Sequence, residues 1–109
     1  MVKWYGKLWM DDTMIKHPLR NKNKLNKPSL FREIYCICLP SNGQNNFDII
    51  SSREMIFSYY KKKDIYVVGL AKDKQSAYEL LSEIILQMIQ KTGEVNSSFY
   101  FSKEGFLID

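Results

Sequence analysis

From Val2 to Met10 apolar and polar side chains alternate, with Val2, Trp4, Leu8 and Met10 on one side and Lys3, Tyr5, Lys7 and Trp9 on the other. A period of two residues is that of a β-strand, so a half-buried strand is expected here. Between Asp11 and Ser29 the period disappears. Lys16, His17, Arg20, Lys22, Lys24 and Lys27 are spaced by asparagines and bounded by Pro18 and Pro28, and the segment reads as a long, exposed, basic connection. Ile34 to Leu39 is apolar on both faces, which suits an interior strand covered above and below and stopped by Pro40. Ser41 to Asn46 carries turn chemistry, since asparagine and glycine accept backbone angles that other residues resist.

Phe47 to Ile50 adds a short strand, after which Ser51 and Glu54 stand three apart as in a capping box, and Met55, Ile56, Tyr59 and Tyr60 recur at helical spacing. A short helix is expected over 52–60. Ile65 to Ala71 is the most continuous apolar run and is read as the central strand. The clearest element follows. Asp73 or Ser76 caps a helix in which Ala77, Tyr78, Leu81, Ile84, Ile85, Met88 and Ile89 form an apolar stripe, while Glu79, Glu83, Gln87 and Gln90 line the other face. Lys91 complements the dipole at its end and Gly93 supplies the left-handed residue that closes it. Ser97 to Phe101 is read as a final strand and Gly105 to Ile108 as a tail tucked against the core.

The expected architecture is therefore α+β: a single domain over 1–109, with a mixed, mostly antiparallel sheet of about four strands in the order ββαβαβ. The long C-terminal amphipathic helix packs on one face, and a right-handed crossover joins the last two strands if they are parallel neighbours. A chain of 109 residues with 15 aromatics (2 Trp, 7 Tyr, 6 Phe) can build such a core without disulfide or metal staples. No apolar run approaches the roughly 20 residues that span a bilayer, and the first residues lack the apolar stretch of a secretory signal, so a cytoplasmic protein away from membranes is expected.

The chemistry offered is sparse. Cys36 and Cys38 lie two apart on one strand face, a spacing that does not easily adopt disulfide geometry, and are read as a reduced core pair. Two thiols and one histidine fall short of a zinc set, so no metal or other cofactor is expected. His17 is the sole imidazole and has no nucleophile at recognisable spacing, and Asp11–Asp12 lacks the spacing of a cation loop, so no catalytic residue is assigned. Glu79 and Glu83 share the polar helix face and serve solubility.

Charge adds one signal. Residues 1–40 hold eight Lys or Arg against three acids, whereas residues 41–109 hold eight against nine, so the net charge of +4 comes from the first part of the chain. Lys16, Arg20, Lys22, Lys24 and Lys27, with Lys61, Lys62 and Lys63, are candidates for contacting nucleic-acid phosphates, with Tyr5 or Trp9 available for stacking, although no helix-turn-helix, RNP or KH signature accompanies them. The turn Gly69–Lys74, with Lys72 and Lys74, is a candidate anion or nucleotide site at a helix start, but it is neither GxGxxG nor GxxxxGK[ST].

The string Ile65–Lys72, the helix carrying Ala77, Glu79 and Leu80, Thr92–Val95 and Tyr100–Phe101, and more loosely Tyr35–Pro40 and Phe47–Ile50, resembles a family of small uncharacterised proteins from Gram-positive anaerobic bacteria. The resemblance covers about two-thirds of the chain, implies a stand-alone bacterial domain and carries no site residue with it. The leading functional expectation is a non-enzymatic accessory or protein-interaction domain whose partner is another protein or a second copy of itself, with Trp4, Tyr5 and Trp9 as the interface. A nucleic-acid-binding module is the alternative, and anion binding at Lys72 and Lys74 the third.

Overall fold

A computed structural model describes residues 1–40 and 46–107, so the expected reversal at 41–46 falls, but for Asn46, outside the described residues, as does Ile108. Five strands form one sheet: β1 (Val2–Met10), β2 (Tyr35–Cys38), β3 (Asp48–Ser51), β4 (Ile65–Ala71) and β5 (Phe106–Leu107), in the spatial order β3-β2-β4-β1-β5. β4 is central, as its apolar run requires. It pairs parallel with β1 (Val2 beside Ile65, Met10 beside Leu70), and the remaining neighbours are antiparallel. The sheet is thus mixed and mostly antiparallel, but it has five strands rather than about four, and the chain order differs from ββαβαβ.

The difference arises in three places: Phe106–Leu107, in the expected tail, is a strand, and two other segments are helical. Pro18–Asn26 is a helix, α1, preceded by a 3-10 turn over Met14–Lys16, in place of the expected exposed connection. Pro18 sits in the first helical turn, where its fixed φ favours the helix and its missing N–H costs nothing. Met14, Asn21 and Leu25 turn inward, and the Asn21 Nδ2 donates to the Met14 carbonyl at 2.9 Å. At the other end Ser97–Tyr100 is a one-turn helix, α4, rather than a strand. The Asn96 side chain accepts the Phe99 N–H at 3.2 Å and turns the backbone, and Phe101 is driven into the core against Tyr5, with ring centroids 4.8 Å apart. The parallel partner of β4 is consequently β1, and the expected crossover to a strand at 97–101 does not occur.

The segment expected to be one helix over 52–60 is broken. The capping box is present: the Ser51 N–H donates to Glu54 Oε2 at 2.9 Å, and the Ser51 hydroxyl accepts the Arg53 N–H at 3.2 Å. It starts only a 3-10 turn over Ser52–Ile56, which the extended backbone of Phe57 interrupts before α2 (Ser58–Lys61).

The long helix, α3, spans Lys74–Thr92, with the Asp73 carboxylate accepting the Ser76 N–H at 2.7 Å and Gly93 in the left-handed region at φ 81°. Its buried side chains are Ala77, Leu80, Ile84 and Met88; Leu81 and Ile85 are half-buried, and Tyr78 and Ile89 are exposed. The expected stripe is therefore rotated toward Leu80. Gly69 is the reason, since a Cβ there would lie 3.3 Å from Leu80 Cδ2, so the absent side chain is what lets the helix settle onto the sheet.

Both faces of the sheet are covered. α1, the 3-10 turns and Met55 enclose Trp4, Cys36, Cys38, Ile65, Val67 and Leu70, while α3 and Phe101 enclose Ile37, Val68 and Phe106. β1 alternates as expected but is covered on both sides: Trp4 is only 2% exposed, and Tyr5 and Trp9 are half-buried beneath the α3 side. Among the described residues no helix is long and apolar enough to cross a membrane.

Candidate anion-binding site

β1 and β4 run parallel, so their two ends gather different loops and different charges. At the C-terminal ends lies a groove of about 250 Å³ lined by Asp11, Asp12, Lys72, Glu79 and Glu83 among others. Here the carboxylate of Asp11 gathers three backbone donors: Thr13 N–H at 2.9 Å, Met14 N–H at 2.8 Å and Lys72 N–H at 2.8 Å. Asp73 takes the Ser76 N–H, and those bonds hold its carboxyl below the usual range. The backbone donors that a bound anion would need at the Lys72–Lys74 turn are thus directed at the protein's own carboxylates, with Glu79 and Glu83 adding negative charge. Lys72 lines the groove, whereas Lys74 is not among its lining residues.

The other chemistry-bearing residues are structural. Cys36 and Cys38 are fully buried free thiols whose sulfurs lie 3.4 Å apart. That contact and burial push the Cys38 thiol well above its ordinary pKa, which leaves it a poor nucleophile. His17 is exposed at the start of α1, where its carbonyl accepts the Asn21 N–H at 3.0 Å. Among the described residues no group of three or more His, Cys, Asp or Glu is placed to hold a metal ion. Trp4, expected at an interface, lies in the core, with the Lys22 ammonium 5.3 Å from its ring centre.

The opposite end of the sheet, at the N-terminal ends of β1 and β4, gathers the cations. α1 runs back along β1, so its C-terminal turn reaches Val2, and a groove of about 450 Å³ is lined by Leu25, Asn26 and Pro28 on one side and Tyr60 and Lys61 on the other. Of the basic candidates only Lys61 lines this groove, and the 16–27 segment reaches it through Leu25 and Asn26. Arg20 and Lys24, one turn apart, share a side of α1 with no acidic residue in that helix, whereas Lys22 points to the opposite side, over Trp4. Lys16 lies at the far end of α1, nearer the acidic groove, and Lys62 is exposed.

Tyr60 also lines a second hollow, of about 290 Å³, with Cys38, Leu39, Ile50 and Ile65 toward its base and Tyr59, Tyr66, Lys63 and Lys103 around it. Lys63 Nζ donates to the Tyr59 hydroxyl at 2.7 Å and lies 4.1 Å from that ring's centre. Lys3 and Lys103 lie 5.3 and 4.9 Å from the Tyr66 ring centre, and Tyr66 is edge-on to Phe106 at 5.2 Å. Lys3 is in turn paired with Asp64 at 3.3 Å, a contact that raises the lysine's pKa. Burial raises the pKa of the Tyr60 hydroxyl as well, so Tyr60 and Cys38 both stay neutral at pH 7.

Of these side chains only Lys61 to Lys63 are candidates on the sequence. Tyr59 and Tyr60 precede that run directly, so a pairing of aromatic and basic residues is there to be read. Tyr66 inside an apolar strand and Lys103 near the end of the chain carry no such signal; pairing of β5 with β1 brings them together. The fold and these side chains define a small α+β domain with one acidic and one basic end. No family model, curated protein or solved structure matches the chain.

Proposed function

We propose that this chain binds single-stranded nucleic acid at its basic end. One observation supports the reading: a groove is lined by Leu25 and Asn26 of the 16–27 segment on one side and by Lys61 of the 61–63 run on the other. Lysines along a groove neutralise successive phosphates, and nearby aromatic rings such as Tyr59, which is 54% exposed, offer faces to unstacked bases. Fluorescence anisotropy with labelled single- and double-stranded oligonucleotides tests it. Binding at low ionic strength is expected, stronger for single strands and falling steeply with salt, with Lys24→Gln and Lys61→Gln each weakening it. An absence of binding to either probe at low salt overturns the reading.

A second reading, association with another copy, is favoured by exposed apolar side chains on α3 and α4. Tyr78, Leu86, Ile89 and Phe99 are between 44% and 70% exposed. Sedimentation equilibrium at high concentration checks it, with Ile89→Asp expected to dissociate a dimer and a monomer throughout counting against it. An interface through Trp4 would require a ring at the surface that lies in the core.

A further inference from the structure

We propose that the hollow between α2, β4 and the 3-10 turn over Lys103–Gly105 takes one planar base bearing a phosphate, with the base between Tyr59 and Tyr66 and the phosphate on Lys63 and Lys103. The inference rests on the nucleic-acid reading for a base within a strand, and extends it to a free mononucleotide, which has the same chemistry.

Size and shape come first. About 290 Å³ lies just below the range usual for small-molecule sites, roughly 300–1,000 Å³, so the hollow suits a single ring system rather than a large ligand. Its base is apolar, with Leu39, Ile50 and Ile65, and its walls are tyrosines. Tyr66 is held by its edge-on contact with Phe106, and Tyr59 by an edge-on contact with Tyr60 at 5.0 Å. Walls fixed in this way lose little freedom when a ring enters between them.

Charge comes second. Asp64 is the single carboxylate lining the hollow among the described residues, and Lys3 pairs with it at 3.3 Å. Lys63 and Lys103 remain as cations without a carboxylate partner among the described residues. The buried Cys38 thiol and the Tyr60 hydroxyl keep their protons, so neither adds a negative charge to the hollow. Tyr60 borders both this hollow and the groove beside α1, so a strand lying in the groove has a base within reach of the pocket.

The test is an NMR titration of the ¹⁵N-labelled protein with thymidine 5′-monophosphate, thymidine, inorganic phosphate and a twelve-residue oligothymidylate, repeated by anisotropy on Tyr59→Ala, Lys103→Gln and the control pair Lys72→Gln with Lys74→Gln. The monophosphate is expected to shift the amides of Tyr59, Lys63, Tyr66 and Lys103, and to do so more strongly than thymidine or phosphate alone. Tyr59→Ala and Lys103→Gln are expected to weaken the monophosphate and the oligonucleotide, Tyr59→Ala by roughly fivefold or more, while the control pair leaves both unchanged. If the oligonucleotide binds through Arg20, Lys24 and Lys61 with no shift in the hollow, the pocket inference fails and the nucleic-acid reading stands. If the monophosphate enters the hollow but the oligonucleotide does not bind, the pocket stands as a free-nucleotide site and the nucleic-acid reading fails. Phosphate alone matching the monophosphate, or no shift with any probe, overturns the pocket.

Discussion

Trp4 is among the largest fully buried side chains, and its indole N–H lacks a hydrogen-bond partner among the described residues. A buried donor left unpaired costs about 1–3 kcal/mol, which offsets part of what the ring contributes by burial. Trp4→Phe removes the donor and keeps most of the apolar surface, so it is expected to change stability by about 1 kcal/mol or less, whereas Trp4→Ala is expected to cost about 3–5 kcal/mol. Urea unfolding followed by far-ultraviolet circular dichroism checks both, and equal losses would show that the N–H is satisfied in solution. Asp73 acts in the opposite way, since its charge is used by the Ser76 N–H at the start of α3. Its folded pKa is lowered, so its stabilisation is fully present above the ordinary carboxylate value and is lost as pH falls through the folded one. Asp73→Ala should therefore lower Tm at pH 7, and the gap to the parent should close progressively as thermal scans are taken to pH 3 and below. Cys36 and Cys38 make a third residue-level case. Burial and a raised Cys38 pKa predict that both thiols react with a disulfide reagent only on the timescale of unfolding, so rapid labelling of the native protein would contradict their place in the core.

At the scale of elements, α3 shows how local signals and packing divide the work. Its caps are legible in the sequence because Asp73 and Gly93 act on their own backbone neighbours. Its rotation is not legible, because apolar residues occupy well over half the circumference, and the contact that chooses among them, Leu80 above Gly69, joins two different elements. Gly69→Ala is expected to push the helix off the sheet by a few tenths of an ångström and to cost about 1–3 kcal/mol, measured by denaturant unfolding, because Leu80 Cδ2 and Ile37 Cδ1 already lie within 3.4 Å of the added methyl. β1 and β4 are readable for the same reason as the caps, since each shows its period within a single run of residues. α1 is not, because its inward side chains include Asn21, whose amide is satisfied by the Met14 carbonyl and so behaves as core while counting as polar in any hydropathy pattern. α4 misleads in the other direction: Phe99, Tyr100 and Phe101 look like a strand, yet Asn96 sets a turn first and Phe101 is buried by tertiary contacts that no window of four residues contains. The basic end shares this character, since each of its lysines is visible in the sequence but their gathering at one end depends on the strand order β3-β2-β4-β1-β5.

The molecule as a whole carries a charge axis along its parallel strand pair. Asp11, Asp12, Glu79 and Glu83 collect where β1 and β4 end, and Lys61, Lys63 and Lys103 collect where they begin. β1 has nine residues, so the two groups are separated by roughly 25 Å at about 3.3 Å per residue. That distance is about three Debye lengths at physiological salt, so each end acts on a charged partner almost independently of the other. Net charge and local charge can then be separated by experiment. Replacing Lys24 and Lys61 by glutamate changes the charge by −2 at each site and takes the formal total from +4 to 0, and replacing Lys72 and Lys74 by glutamate does the same. If attraction to nucleic acid arises from overall basicity, the two double variants weaken an oligothymidylate equally. If it arises from the groove between α1 and α2, the first pair abolishes measurable binding at 0.1 M salt and, at lower salt, flattens the dependence of log Kd on log salt by about 0.7 for each phosphate no longer neutralised, whereas the second leaves that slope as it was. The slope decides between the two because it counts ions released at the binding surface, a quantity that distant charges reduced by screening do not alter.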